Sequence, residues 1–244
     1  EAEGYAGDPL AEVLAARFRS GASGTVEADG RSLFLTVELP PPRLVLIGAV
    51  HISQALAPMA RALDYDVTVV DPRTAFASPE RFPDVPLIAE WPDVALPPLN
   101  VDRYTAFVAV THDPKIDDPA LLHAFAKDCF YIGALGSRRT TEERARRLRA
   151  AGVTDAALRR VRAPIGLDLG ARTPEETAIA ICAEIITVRT GHAAGPLRDG
   201  TGPLHDASTG SLIRSPTGGL ARLGDVEAEF PPTMPTKPAR PERE

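Results

Sequence analysis

Arg138 and Arg139 stand in the stretch YIGALGSRRTTEE (131–143), directly after Gly133, Gly136 and Ser137. Thr140 and Glu143 have the spacing of a capping box, which predicts a helix starting near Thr140. The positive end of a helix disfavours each nearby cation by about 0.3–1 kcal/mol, whereas a charge-assisted hydrogen bond to phosphate contributes about 1.5–3 kcal/mol. Two arginines there, after glycines that free backbone N–H groups, suit a bound anion. The alternative is a pair of solvated side chains on a basic helix face that continues through Arg144, Arg146, Arg147 and Arg149.

A second set of candidates lies in RLVLIGAVHISQAL (43–56), which reads as a strand, a glycine turn at Gly48 and a helix. Asp71 closes the next strand, 23 residues after Gly48, the position of the ribose-binding acid in a dinucleotide fold. The glycine fingerprint is incomplete, because Ala49 and Val50 follow Gly48 and the branch of Val50 obstructs a pyrophosphate. His51, at the helix start, suits donation to an anion or a carbonyl; a cap or packing role is the alternative. Asp71 suits a ribose or pterin hydrogen bond and Arg73 a phosphate, unless the two form an ion pair that shapes the turn.

Thr111, His112 and Asp113 end another apolar run, where a general base is conceivable and loop capping is the bland reading. Gly166 and Asp168, in APIGLDLGA (163–171), suggest a fixed backbone holding a ligand N–H or hydroxyl, or a structural turn. No Ser-His-Asp order, paired carboxylates, metal-ligand cluster or convincing nucleophile stands out. Cys129 and Cys182 read as small buried hydrophobes.

These residues need elements to position them. Residues 8–19 predict an amphipathic helix and residues 24–39 a hairpin turning at Asp29-Gly30, before the stiff Pro40–Pro42 connector. Strands are then expected at 44–48, 66–71, 105–111 and 129–135, with a short one near 86–89. Helices are expected at 52–64, with Pro58 inside, at 118–127 and from Thr140 to Ala151. A last, buried helix starts on Thr173-Pro174-Glu175-Glu176. The alternation implies an α/β Rossmann-like, mainly parallel sheet with helices on both faces, which binds ligands beyond the carboxyl ends of its strands. Three segments follow: 1–40, a helix and hairpin; 41–190, the Rossmann-like domain; and 191–244, a tail whose Gly, Pro, Ser and Thr content predicts disorder.

The totals agree with that class. The chain has 244 residues, 44% hydrophobic and 25% charged, as in soluble globular proteins. A net charge of −6 argues against a nucleic-acid partner, and no apolar run of membrane-spanning length or signal-peptide pattern occurs. The expected location is cytoplasmic. The chain opens on Glu1, as a trimmed chain or fragment would.

The segments LVLIGAVHISQALAPMARAL, VTVVDPR, FVAVTHD, YIGALGSRRT and APIGLDLGARTPEETAIAICAEI occur in this order over residues 43–189. Together they resemble the Rossmann-like C-terminal domain of the XdhC/CoxI family, the xanthine dehydrogenase accessory proteins. The resemblance implies an accessory chaperone rather than an enzyme. Such a protein binds the molybdenum cofactor (molybdopterin, including its dinucleotide form), helps with its sulfuration and hands it to an apo-enzyme. The implied partners are a molybdenum hydroxylase of the xanthine or carbon monoxide dehydrogenase type, a cysteine desulfurase and a separate CoxI-type protein carrying the family's N-terminal domain; a homodimer is also compatible. That N-terminal domain, with its Gly- and Cys-bearing motifs, is represented here only by residues 1–40, which resemble its end.

On this reading Arg138, Arg139 and the Gly133–Ser137 turn take phosphate, Asp71 and Asp168 hold a ribose or pterin ring, and His51 and His112 face the reactive end. Gly48, Ala49, Val50, Arg73, Thr111, Asp113, Gly136 and Gly166 complete the edge. The alternatives are an NAD(P)-dependent oxidoreductase and a ligand-free scaffold that docks a molybdoenzyme.

Overall fold

The structure, a computed structural model, describes residues 9–20, 23–28, 30–38, 40–199, 212–214 and 220–222. The described residues fall into two compact units, one drawn from within 1–39 and 200–244 and the other running from Pro40 to Asp199.

In the first unit, helix α1 (Pro9–Ser20) precedes the antiparallel hairpin of β1 (Gly24–Ala28) and β2 (Arg31–Leu35). Gly30 sits in the turn at φ 67°, a conformation that glycine adopts without Cβ strain. Ser23 Oγ accepts from the N–H of Val37 at 2.8 Å.

The second unit contains β3 (Arg43–Ile47), α2 (His51–Ala62), β4 (Asp66–Val70), β5 (Leu87–Ile88), α3 (Pro92–Ala95) and β6 (Thr105–Ala109). It continues with α4 (Pro114–Ala126), β7 (Tyr131–Ala134), α5 (Arg138–Ala150), α6 (Asp155–Leu158), β8 (Val161–Arg162) and α7 (Pro174–Thr190). Its strands form one sheet in the order β5-β4-β3-β6-β7-β8, and every neighbouring pair is parallel. Counted from β3, this is the 3-2-1-4-5-6 order of the Rossmann fold, and the direction of winding reverses between β3 and β6.

The central strands are apolar at nearly every position because both faces are covered. Leu44 and Leu46 of β3 and Ala106 and Val108 of β6 pack on one face with Leu56 and Ala60 of α2 and Ile181 and Ile185 of α7. The alternate residues Val45, Ile47, Phe107 and Ala109 face Ile116 and Leu121 of α4 and Leu148 of α5. Helix α7 starts on a complete capping box, with Thr173 as cap and Glu176 reaching back, and ends at Gly191 in the left-handed region. It is less enclosed than its composition suggests: Ile179 is exposed.

Two helix starts differ from the expectation. Helix α4 begins at Pro114 rather than 118, because Asp113 is its cap and accepts from the N–H of Lys115 at 2.9 Å. Helix α5 begins at Arg138 rather than Thr140, because Ser137 is the cap and accepts from the N–H of Thr140 at 3.2 Å. Glu143 pairs instead with Arg139 at 3.1 Å. Helix α2 runs through Pro58, whose side lies exposed.

Both cysteines are free and buried, and burial pushes the thiols of Cys129 and Cys182 up to about 12 and about 11. Within the segment expected to be disordered, residues 197–199 form a 3-10 turn and β9 (Leu212–Arg214) pairs antiparallel with β10 (Leu220–Arg222). Residues 200–211, 215–219 and 223–244 of that segment lie outside the described residues. No helix among the described residues is long and apolar enough to cross a membrane, and none of their His, Cys, Asp or Glu side chains form a group suited to a metal.

Candidate functional site

The parallel sheet brings the turns after β3, β4, β6 and β7 to one edge. Its centre is the contact between Gly48 and Thr111, which follow the two strands at the winding reversal. A Cβ on Gly48 would lie 2.8 Å from Thr111 Cγ2 and 3.3 Å from its backbone nitrogen, and Gly48 has φ 118°. Both the conformation and the close approach require glycine here. The Gly48 carbonyl accepts from Ser53 Oγ of α2 at 2.5 Å, which ties the turn to the helix it starts.

Val50 occupies the cap position of α2 and offers no side-chain acceptor, and the first turn of the helix carries no acidic residue. The N–H groups there are thus left to an external acceptor at the positive end of the helix dipole. His51, the first helical residue, is exposed beside them.

Asp71 is directed inward. It has no exposed surface, and its two oxygens accept from the N–H of Ala49 at 2.7 Å, from the N–H and Nε of Arg73 at 2.9 Å each, and from Arg73 Nη2 at 2.7 Å. Burial alone would raise its carboxyl pKa; the Arg73 guanidinium and the two backbone donors outweigh burial and hold it below the usual carboxylate range. A ribose or pterin hydroxyl would have to displace these partners. The ion pair that shapes the turn is the arrangement present, and Arg73 also stacks on Phe76, with Cζ 4.5 Å from the ring centroid.

Thr111 is buried, and its Oγ1 donates to Asp117 Oδ1 at 2.6 Å while accepting from the N–H of Asp113 at 3.0 Å. His112 is exposed at φ 63°, a left-handed conformation that His adopts more readily than most non-glycine residues. Asp117 Oδ2 faces Arg144 Nη2 at 3.5 Å, and the same Nη2 donates to the carbonyl of Leu135 at 2.9 Å. Burial raises the Asp117 carboxyl pKa, and Thr111 and Arg144 offset only part of that effect. Nε and Nη1 of Arg144 are buried without a partner among the described residues. Asp117 and Arg144 carry no local sequence signal, since their partners lie on other elements.

Gly133 is not a turn residue. It lies within β7, paired with Val108, and the space a Cβ would fill is taken by the Ile165 side chain. Gly136 and Ser137 form the turn itself. Arg138 and Arg139 occupy the first turn of α5; both are exposed, and Arg139 is paired with Glu143. Beyond β8, the N–H of Gly166 donates to Glu184 Oε2 at 2.8 Å, and the Tyr131 hydroxyl donates to the same oxygen at 2.6 Å. Asp168 lies two residues further on, exposed.

One run of contacts therefore crosses the edge. Arg73 holds Asp71, Asp71 holds Ala49, Gly48 abuts Thr111, and Thr111 leads through Asp117 and Arg144 to Leu135. Gly166 and Asp168 follow the edge strand β8 and are not part of that run. The exposed surface along it offers N–H donors and guanidinium groups, which suit an anionic ligand with ring acceptors.

Residues 44–185 match the family model described as the XdhC Rossmann domain. Three proteins show the range of relatives. The chain is 35% identical over 74% of its length to the uncharacterized protein YqeB of Escherichia coli, covering 33% of that protein. It is 32% identical over 65% of its length to a probable xanthine dehydrogenase subunit of Bacillus subtilis, covering 46% of it. It is 31% identical over 62% of its length to the molybdenum cofactor insertion chaperone PaoD of E. coli, covering 41% of it. The chain thus spans a third to just under half of these relatives. A crystal structure described as a xanthine dehydrogenase from Bacillus halodurans superposes with a TM-score of 0.55 at 27% identity, over 67% of this chain and 46% of that one. The sheet order, the glycine at the winding reversal and the match over residues 44–185 agree, and the chain belongs to the XdhC family through that family's Rossmann domain.

Proposed function

We propose that the Rossmann-like domain, residues 41–190, binds the molybdenum cofactor across the carboxyl edge of its sheet and serves in its insertion into a molybdenum hydroxylase. The observation that carries this reading is the first turn of α2, which opens on the winding reversal with neither a side-chain cap nor an acidic residue. Free N–H groups at a helix start favour phosphate. The turn at Gly136–Ser137 and the side chains of Arg138 and Arg139 add a second cationic stretch on the same edge. The names of the relatives support the identity of the ligand: one is a molybdenum cofactor insertion chaperone and another a probable xanthine dehydrogenase subunit.

The donor set fits the organic part of that cofactor. It consists of N–H groups and guanidinium groups, which match phosphate and ring carbonyls. When bound, the cofactor supplies the metal chemistry of the recipient enzyme; this chain's residues bind and orient it. The α2 first turn takes a phosphate, His51 and His112 flank the ligand, and the Thr111–Asp117–Arg144 network keeps the neighbouring turns in register. The recipient is the apo-form of a hydroxylase in the cytoplasm, with a cysteine desulfurase and a protein bearing the family's other half as further partners.

The strand order also favours a second reading, an NAD(P)-dependent oxidoreductase. Against it, Val50 replaces the second glycine of the dinucleotide turn and Asp71 is fully engaged inside. Anaerobic titration of purified molybdenum cofactor and of NADH into the full chain separates the two. Cofactor binding that weakens with salt, and by about tenfold in an Arg138→Ala/Arg139→Ala variant, supports the proposal. Binding of NADH alone overturns it.

A further inference from the structure

Arg73 presents its guanidinium as a fixed plane. Its inner edge is taken by Asp71, through Nε at 2.9 Å and Nη2 at 2.7 Å, and Asp71 is fully buried. Phe76 lies 4.5 Å from its Cζ, and the Arg81 guanidinium is 5.6 Å from the same ring. Arg81 is anchored in turn: Nη1 donates to the Phe76 carbonyl at 2.9 Å and Nη2 to Gln54 Oε1 of α2 at 2.9 Å. This ordered stack is nevertheless open to solvent. The Arg73 side chain is 32% exposed and Phe76 40%.

Asp71 balances the charge of Arg73 and occupies the edge that a phosphate would grip. Nη1 is left without a hydrogen-bond partner among the described residues, and about a third of the side chain stays exposed. Guanidinium planes stack on aromatic rings, and a side chain already ordered loses little entropy when a ring settles on it. The carboxylate that fixes Arg73 also fixes Ala49, the residue before the cap of α2. The plane is thereby tied to the helix start assigned above to phosphate.

We propose that Arg73, backed by Phe76 and Arg81, is a platform for a fused nitrogen heterocycle with a ring carbonyl, the chemistry of a pterin or guanine, with Nη1 donating to that carbonyl. This rests on the proposed function and places the ring beside β4 and the phosphate end at α2.

The test uses the full chain and probes without phosphate: 6-hydroxymethylpterin, followed by its fluorescence, and guanosine and adenosine, followed by ligand NMR line broadening. Purified molybdenum cofactor is titrated separately. The expected result is binding of the pterin and of guanosine near about 1 mM, with adenosine weaker. Arg73→Lys, which keeps charge but not the plane, and Phe76→Leu, which keeps bulk but not the ring, should each weaken pterin binding about tenfold. Phe76→Leu decides the matter if Arg73→Lys does not fold. Absence of pterin binding to the wild-type chain, unchanged pterin affinity in folded variants, or a preference for adenosine overturns the platform. Whole-cofactor binding that survives both substitutions overturns the platform and leaves the proposed function standing. Ring binding lost in the variants, in a chain that does not bind whole cofactor, supports the platform and overturns the proposed function.

Discussion

Asp117 in the first turn of α4 and Arg144 in the second turn of α5 meet as an ion pair at 3.5 Å, with 1% and 6% of their side chains exposed. Each partner also holds the end of a strand: Asp117 accepts from the hydroxyl and N–H of Thr111 after β6, and Arg144 donates to the carbonyl of Leu135 after β7. Two neighbouring turns of the candidate site are thus fixed by one buried pair. Arg144→Met leaves the Asp117 charge uncompensated and should cost about 3–5 kcal/mol. Asp117→Leu/Arg144→Met, which removes both charges, should recover part of that loss. Urea denaturation of the three proteins measures both effects.

Acid should weaken the fold partly through Asp71. Although burial opposes ionisation, Arg73 and the backbone donors keep its carboxyl pKa below the ordinary value. The stability it contributes is present above the unfolded-chain value of about 3.9 and is lost as pH falls through the lower folded value. Asp117, raised by burial, contributes with the opposite sign and relaxes as it protonates. Melting temperature measured from pH 6 to pH 3 should fall less steeply in Asp71→Asn than in the wild type. The variant should also be less stable at pH 7, by about 1.5–3 kcal/mol.

A methyl group at position 48 should be costly because it meets Thr111. Overpacking and the positive φ together predict a loss of about 2–4 kcal/mol for Gly48→Ala. Thr111→Ser removes the Cγ2 but keeps the hydroxyl bonded to Asp117. In Gly48→Ala/Thr111→Ser the loss should be smaller than the sum of the two single losses, as measured by a double-mutant cycle of denaturation midpoints.

The two ends of the Ser137-Arg138-Arg139 run should separate stability from binding. Ser137→Ala removes the cap of α5 and should cost about 1 kcal/mol. Arg138→Ala, at an exposed position, should change stability by less than about 0.5 kcal/mol. It should still weaken binding of an anionic ligand at low salt. Thermal melts and calorimetric titration at two salt concentrations report the two effects.

The sheet is legible in the sequence because its central strands are buried on both faces and read as unbroken apolar runs, and α7 is legible because Thr173, Pro174 and Glu176 carry a full start signal. The starts of α4 and α5 are ambiguous in sequence because that signal is duplicated. Asp113-Pro114 and Asp118-Pro119 both look like a cap followed by proline, and Asp118 is instead paired with Arg147 at 2.6 Å. Ser137 and Thr140 are both hydroxyl residues of the kind that caps a helix, and Thr140 Oγ1 donates to the Ser137 carbonyl at 2.9 Å. Strand β8 is two residues long, too short to show a period. The two competing roles of Asp71 are visible from spacing, but the choice between them depends on Ala49, a neighbour only in the folded chain. Asp117–Arg144 and Tyr131–Glu184 are out of reach for the same reason: each joins elements separated by 27 or 53 residues.

The burial of Cys129 and Cys182 has a consequence for sulfur traffic. Burial holds both thiols well above the ordinary thiol range, so their reactive thiolate form is scarce at neutral pH. These are the two cysteines of the 244 residues, so a persulfide relay finds no ready nucleophile among them. On the proposed function, sulfur for the cofactor would come from a donor other than these two thiols, and both should resist alkylation in the folded domain.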